Sequence, residues 1–171
     1  GNSAVNYGSI IEMTLRNGRI KIFGDHQFGP QTGDPRVWTC FDQVWNAFRI
    51  QTENVLRNIL IENAIGRQLK PRYFASPFAS MLHDLASKHC MDLQRHGEGI
   101  PGQLDLTCID GIGGFGTAID SLVAIKTLIF EEKKLTWDEL LTALECNWEG
   151  KEAIRQLCLN APKFGNGIEW V

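Results

Sequence analysis

The sequence predicts an α/β domain that is predominantly helical. Three observations carry this. Apolar residues recur at helical spacing along most of the chain. One short apolar run, Leu104 to Ile109, is β-capable and reads as a buried strand. A glycine-rich turn, Gly111 to Gly116, then leads into a helix that is apolar nearly all round. A buried strand needs partners, and few other segments alternate. That shortage points to a piece of a larger sheet-containing fold.

The elements follow in order. Tyr7 to Leu15 carries Ile10, Ile11, Met13 and Leu15 and predicts a short helix that Asn17-Gly18 stops. Arg19 to Phe23 alternates, with Ile20 and Ile22 on one face, and predicts a strand. Gly24 to Pro35 is punctuated by Gly and Pro and reads as a loop. Phe41, Val44, Trp45, Phe48, Val55, Leu56, Ile59 and Leu60 form one stripe. They predict a helix over about residues 40–64, ~37 Å long, with Thr39 as N-cap, Asp42 in the capping-box position, and Gly66 and Pro71 as its end. Ser76-Pro77 opens the next helix, with Phe78, Met81, Leu82, Leu85 and Ala86 as its buried face and Gly97 as its close. Ile119 to Ile129 is the deeply buried helix. Thr136 to Glu139 is a capping box, and Lys151 to Asn160 forms a last helix before Pro162.

Composition sets the class. The 171 residues suit one domain of ordinary size. With 43% hydrophobic and 22% charged residues the chain is globular rather than disordered. A net charge of −3 leaves no basic excess for a phosphate backbone, which argues against nucleic acid. No apolar run approaches a membrane span and no signal-peptide layout opens the chain. The five cysteines, Cys40, Cys90, Cys108, Cys146 and Cys158, are odd in number and form no CxxC pair. They read as reduced thiols of a cytoplasmic protein, most of them small core residues.

Few constellations carry chemistry by pattern. Gly111, Gly113 and Gly116 spell GxGxxG, but no second strand with a terminal acid follows, as a dinucleotide site requires. The better account is a tight turn whose backbone approaches another strand or a ligand. His83, His89, Cys90 and His96 spread around their helix rather than pairing four apart, so they are not a metal set. Asp120-Ser121 suits a helix cap or a polar cavity lining. Cys108 lies at the C-terminal end of the predicted strand, where α/β proteins place ligands, which makes it a candidate thiol nucleophile, but on spacing alone the reading as a buried Cys wins. Phe41, Trp45 and Phe48 lack basic interleaving and read as core.

From Gly113-Gly114-Phe115-Gly116-Thr117-Ala118-Ile119 through Asp120-Ser121-Leu122-Val123-Ala124-Ile125-Lys126, the chain resembles the Asp-Ser-Leu-x-Ala-Ile-Lys helix of glycyl radical enzymes of the pyruvate formate-lyase type. Leu135 to Leu141 and Asn147-Trp148-Glu149-Gly150 are similar to the stretch that follows it. Asn160-Ala161-Pro162-Lys163-Phe164-Gly165-Asn166 resembles an Asn-Ala-Pro-Lys-Tyr-Gly-Asn signature. Upstream, Asn6, Glu12, Leu15, Asn17 and Gly18 match an Asn…Glu-x-x-Leu-x-Asn-Gly helix, and Thr32-Gly33-Asp34 a Thr-Gly-Asp turn. The tail departs: Asn166-Gly167-Ile168-Glu169-Trp170-Val171 stands where the family has Asn-Asp-Asp-x-x-Val. The likeness spans essentially the whole chain.

The resemblance implies that residues 1–171 are an internal part of the catalytic domain, a fragment of a ten-stranded β/α barrel. Leu104 to Ile109 would be a barrel strand and Ile119 to Ile129 a helix sandwiched between barrel and outer layer. The parent would be an oxygen-sensitive radical lyase or synthase of anaerobic metabolism. It would act on a small carboxylate or aromatic substrate by C–C cleavage, decarboxylation or fumarate addition. The loop from Arg19 to Asp34 lacks an Asp-Pro-x-Thr-Gly insertion, and this leans the reading to arylacetate decarboxylases or fumarate-adding synthases.

The family's thiyl-Cys and radical-Gly motifs do not occur here, so no catalytic residue is expected in this chain. The radical would be installed in the parent by a radical-SAM activating enzyme. The remaining partners implied are the rest of the polypeptide, a small-molecule substrate and a second copy in a homodimer. Thr107, Cys108, Gly113, Thr117, Asp120 and Ser121 are the substrate-lining candidates, because a barrel binds ligands at the C-terminal ends of its strands. Two other classes stay open: a non-catalytic helical protein-binding module, and a nucleotide-dependent enzyme using the Gly111-Gly113-Gly116 turn.

Overall fold

A computed structural model describes residues 4–22, 24–96, 99–102 and 111–169. The predicted strand Leu104 to Ile109 lies outside the described residues. The chain divides into two compact units, one of residues 5–56 and 112–171, the other of residues 1–4 and 57–111.

In the first unit, β1 (Ala4–Asn6) runs into helix α1 (Tyr7–Leu15), which has the bounds the sequence predicts. Asn6 caps it: its side-chain oxygen accepts the Gly8 N–H at 2.9 Å and the Ser9 N–H at 3.4 Å. Ile10, Ile11, Met13 and Leu15 are buried, and the turn through Asn17 and Gly18, both at positive φ, ends the helix. The predicted strand over residues 19–23 shortens to β2 (Arg19–Ile20), because the chain reverses at once to pair antiparallel with β3 (His26–Gln27). Ile22 therefore leaves the face of Ile20 and is 81% exposed. The expected Gly24–Pro35 loop contains β3 and leads into a 3-10 turn, Pro35–Val37, capped by Asp34.

The family-like turns interlock here. Gly18 O accepts the N–H groups of Phe28 and Gly29, both at 2.9 Å. Asn17 accepts the Gly33 N–H at 2.8 Å. The fully buried Gln51 donates to Pro30 O at 2.8 Å and to Thr32 Oγ1 at 3.2 Å. Arg16 joins Asp25 at 2.7 Å and also pairs with Glu145, and Lys21 reaches Glu145 at 3.2 Å. The Arg16 guanidinium holds the Asp25 carboxyl below the usual carboxylate range.

Helix α2 (Phe41–Tyr73) is longer than predicted. Gln43, not Thr39, organises its start: its Oε1 accepts the N–H groups of Thr39 at 2.7 Å and Cys40 at 3.3 Å. Gly66 weakens a helix without ending it, and Pro71 sits in the last turn, so neither is the boundary. Val44, Ala47, Phe48 and Gln51 are its buried face in this unit, whereas Trp45 is exposed.

Helix α6 (Phe115–Ile125) continues into a π-helical segment, Lys126–Glu131. Ala118, Leu122 to Ile125, Thr127 and Leu128 are buried, in line with the apolar character read from the sequence. Helix α7 (Trp137–Glu145) has the predicted capping box in full: Thr136 Oγ1 accepts the Glu139 N–H at 3.3 Å, and Glu139 accepts the Thr136 N–H at 2.9 Å. The Thr136 hydroxyl, which donates to the Glu139 carboxylate at 2.7 Å, and then the Thr136 N–H hold the Glu139 carboxyl below its usual range. Helix α8 (Glu152–Asn160) follows.

In the second unit, the single helix expected from Pro77 to Gly97 is three short ones: α3 (Pro77–Met81), α4 (Asp84–Lys88) and α5 (Leu93–His96). His83 turns extended and Cys90 takes a φ of 53°, which breaks the helical run twice. Phe78, Met81 and Leu82, expected inside, are exposed, and Ser76 makes no side-chain cap bond. Among the described residues of this unit, Ile59, Ser80, Ala86 and Ile100 are buried. The cysteines are also corrected: the four described are free, but Cys40 and Cys90 are exposed and Cys146 and Cys158 half-buried. Among the described residues no helix is long and apolar enough to cross a membrane.

Candidate functional site

Strand β4 (Gly111–Gly113) pairs with β1, and each strand runs straight into a helix. A Cβ placed on Gly111 would lie 3.1 Å from Ala4 Cβ, and one on Gly113 would lie 3.8 Å from Val5 O. At Gly114 it would come within 2.9 Å of both Asn6 Oδ1 and Gly8 N. The neighbours advance together along both strands, so the strands run in the same direction. Their C-terminal ends sit beside the starts of α1 and α6, which pack against each other.

The predicted glycine-rich turn is therefore mostly strand. Only Gly114, at φ 68°, makes the turn, and no side chain there caps α6. The glycines permit close approach to another strand.

Asp120 and Ser121 are not caps, because α6 begins at Phe115 and they lie in its second turn. Asp120 accepts the Phe164 N–H at 2.9 Å and so fastens the 160–166 segment to α6. Ser121 Oγ donates to Thr117 O at 2.7 Å. Thr117 and Gly113 are exposed. Thr107 and Cys108 lie outside the described residues. Of the six candidates, the structure thus describes Gly113, Thr117, Asp120 and Ser121, all on β4 and α6. Lys163 Nζ donates to Cys158 O at 2.8 Å, and burial pushes the Cys158 thiol up despite that cation.

An aromatic line borders these residues and was not read from the sequence. Phe115 is 50% and Phe164 54% exposed, with ring centroids 6.3 Å apart, edge to face. Phe115 meets Tyr7 at 5.7 Å, Tyr7 meets Phe48 at 6.3 Å, and Phe48 meets Trp45 at 5.8 Å. Trp45 and Phe48 share the α2 stripe, but Tyr7, Phe48, Phe115 and Phe164 are distant in sequence, so no periodicity links those four. Among the described residues no cluster of three or more His, Cys, Asp or Glu side chains could hold a metal ion.

The Asp120 bond has a measurable consequence. Asp120→Ala removes a charged acceptor from a backbone amide at a partly exposed site, which costs about 1 kcal/mol. The 160–166 segment should then be cleaved faster by trypsin after Lys163, while Asp120→Asn retains most of the protection.

A family model described as pyruvate formate lyase-like matches residues 2–171. The chain belongs to the pyruvate formate-lyase-like family. Its curated relatives include isethionate sulfite-lyases of Bilophila wadsworthia, 45% identical, and Oleidesulfovibrio alaskensis, 43% identical, each over 99% of this chain. The trans-4-hydroxy-L-proline dehydratase of Clostridioides difficile is 36% identical over 97% of it. The chain spans 20% of the length of each of these curated relatives. The crystal structure of the C. difficile hydroxyproline dehydratase superposes with a TM-score of 0.74 at 33% identity, over 95% of this chain and 20% of that one. The B12-independent glycerol dehydratase of Clostridium butyricum superposes at 0.70, with 29% identity over 95% of this chain and 20% of that one. The relatives are glycyl radical lyases and dehydratases. The predominantly helical α/β fold and its kinship with glycyl radical enzyme barrels, expected from the motifs, are both shown.

Proposed function

We propose that these residues are part of the catalytic domain of a glycyl radical lyase that breaks a carbon–heteroatom bond of a small hydroxylated substrate. The relatives' chemistry carries this reading. At 43–45% identity they are sulfite-lyases acting on isethionate, and at 36% a dehydratase acting on hydroxyproline. Decarboxylation of an arylacetate or addition to fumarate is the second reading. It is supported by a 4-hydroxyphenylacetate decarboxylase subunit at 22% identity. The radical's contribution is hydrogen-atom abstraction from the substrate, and by motif the Gly and Cys that carry it are not among these residues. The family resemblance supports a radical-SAM activating partner, a homodimeric parent and a cytoplasmic setting.

This chain's own share is a wall. Gly113, Thr117, Asp120 and Ser121, with Thr107 and Cys108 from the preceding run, are proposed to border the substrate at the carboxyl ends of the strands. Phe115 and Tyr7 would exclude water beside them. Gly114 and Asn6 hold the two strand–helix junctions in register.

The test uses the full-length protein, activated anaerobically by a radical-SAM enzyme, with the glycyl signal read by electron paramagnetic resonance. The expected result is sulfite release from isethionate or water loss from a hydroxylated substrate. Carbon dioxide from 4-hydroxyphenylacetate as the sole turnover would overturn the elimination reading, and absence of any radical would overturn both. Thr117→Val, of similar volume, is expected to lower turnover with radical content and stability unchanged. Unchanged turnover and KM would remove Thr117 from the wall.

A further inference from the structure

The first unit holds a cleft of about 370 Å³, within the size range of small-molecule sites. Three elements meet there. The 3-10 turn Pro35–Val37 supplies Arg36, the π-helical segment and the link after it supply Ile129, Lys133 and Leu135, and the start of α7 supplies Thr136, Trp137 and Asp138. The lining is of two kinds. Leu135 and Trp137 are buried and Ile129 is half-buried, which gives an apolar base. Arg36, Lys133 and Asp138 are exposed, which gives a charged rim.

The charges of the rim are matched except at one residue. Arg36 donates through Nε to Asp138 at 2.6 Å and through Nη1 to Asp34 at 3.4 Å, so it is a guanidinium held in place by carboxylates. Glu131 pairs with Lys126 at 3.6 Å, and Glu132 with Lys134 at 2.9 Å. Lys133, between these pairs in sequence, makes no hydrogen bond or ion pair among the described residues. The N-terminus of α7 offers an anion nothing, because Thr136 and Glu139 already close it.

The backbone of Lys133 is uncommon as well. Its φ is 53°, at the point where the chain leaves the π-helical segment. The amides of Lys134 at 2.8 Å and Leu135 at 3.2 Å both donate to Leu128 O and lock that turn. Glycine or asparagine ordinarily takes the left-handed position at a helix end, and a lysine side chain is strained there. A strained residue whose charge is unpaired, at the mouth of an apolar cleft, points to a ligand.

We propose that this cleft binds a small monocarboxylic acid with an apolar body. Lys133 holds the carboxylate, and the body lies against Leu135, Ile129 and Trp137. The charges select the class. A neutral molecule leaves Lys133 unpaired, and a cation is repelled by it. A second negative charge on the ligand would meet Asp138 and, behind Arg36, Asp34. Body and charge both contribute, since the base rewards apolar area and the rim rewards one anionic group.

Titration calorimetry of the full-length protein with benzoate tests this. One saturable site is expected, and benzyl alcohol, a similar body without the charge, should bind about tenfold more weakly. Lys133→Gln removes the charge and keeps a side chain in the same backbone position. It should weaken benzoate binding about tenfold and leave the urea midpoint where it is. Lys133→Gly should weaken binding as much and move the midpoint to higher urea, because glycine takes the left-handed backbone without strain. In a crystal of the full-length protein soaked with 4-bromobenzoate, the anomalous peak of bromine should lie between Lys133 and Trp137. Absence of saturable binding overturns the proposal, including where another part of the polypeptide fills the cleft. So does benzoate affinity that Lys133→Gln does not change, or a bromine peak found only elsewhere. Calorimetry reads binding and not turnover, so failure here leaves the lyase reading standing, and failure of that reading leaves this site standing.

Discussion

Trp137→Ala should lower the stability of the first unit by about 3–5 kcal/mol, the cost of emptying a buried aromatic site. Trp137 is buried at the first position of α7, and its indole N–H donates to Trp38 O at 3.4 Å. It packs edge to face on Trp38 at 5.8 Å and on Phe130 at 6.0 Å, and Phe130 in turn meets Phe41 at 6.4 Å. One ring thus ties together the 3-10 turn, the start of α2, the π-helical segment and the capping box. Trp137→Phe keeps an apolar ring and loses only the long indole bond, so it should cost about 1 kcal/mol. Denaturant midpoints of the two variants give the comparison. A Trp137→Ala midpoint within error of the wild type would show that the cluster is not a stabilising core.

Gly18→Ala should be among the most damaging single-methyl changes at the described glycines. Gly18 has a φ of 86°, where a side chain is strained. Its Cβ would stand 2.5 Å from the carbonyl oxygens of both Gly29 and Pro30, and would strike the Gln27 amide. Two of these obstacles are backbone, so no rotamer change relieves them. Strain and overpacking together come to about 2–4 kcal/mol. The effect should spread along the hydrogen bonds that lock this turn, from Gly18 O to Phe28 and Gly29 and from Gln51 to Pro30 and Thr32. Exchange protection of the Phe28 and Gly29 amides should fall together with global stability. If those amides stay protected, the contact is relieved by a shift that the present geometry does not contain.

Local chemistry made part of this fold legible. The α1 helix, its stop at Asn17-Gly18 and the Thr136–Glu139 capping box each depend on residues within one or two turns of each other. Short-range rules therefore suffice for them. The family motifs were legible for a related reason. Asn6, Gly18, Thr32 and Asp120 each make a specific hydrogen bond or close approach that few other residue types could make.

Other readings failed where a distant partner decides. The run from Pro77 to Gly97 has helical periodicity, yet Asp92 reaches back to the Ser76 amide and His83 caps a new helix, so it divides into three. The stripe on α2 counted Trp45 and Leu60 as core, but both are exposed. Periodicity marks a face without telling which part of it finds a neighbour.

By itself the sequence determined the membership in a radical-enzyme family, the helical bias and the caps, because these rest on residue identity and local backbone chemistry. Only the tertiary structure decided what the glycines approach and what borders the candidate residues. Gly114 meets Asn6 and Gly8, Asp120 holds Phe164, and Tyr7, Phe48, Phe115 and Phe164 form one aromatic line. Each of these contacts joins residues far apart in the chain, and only chain closure brings such residues together.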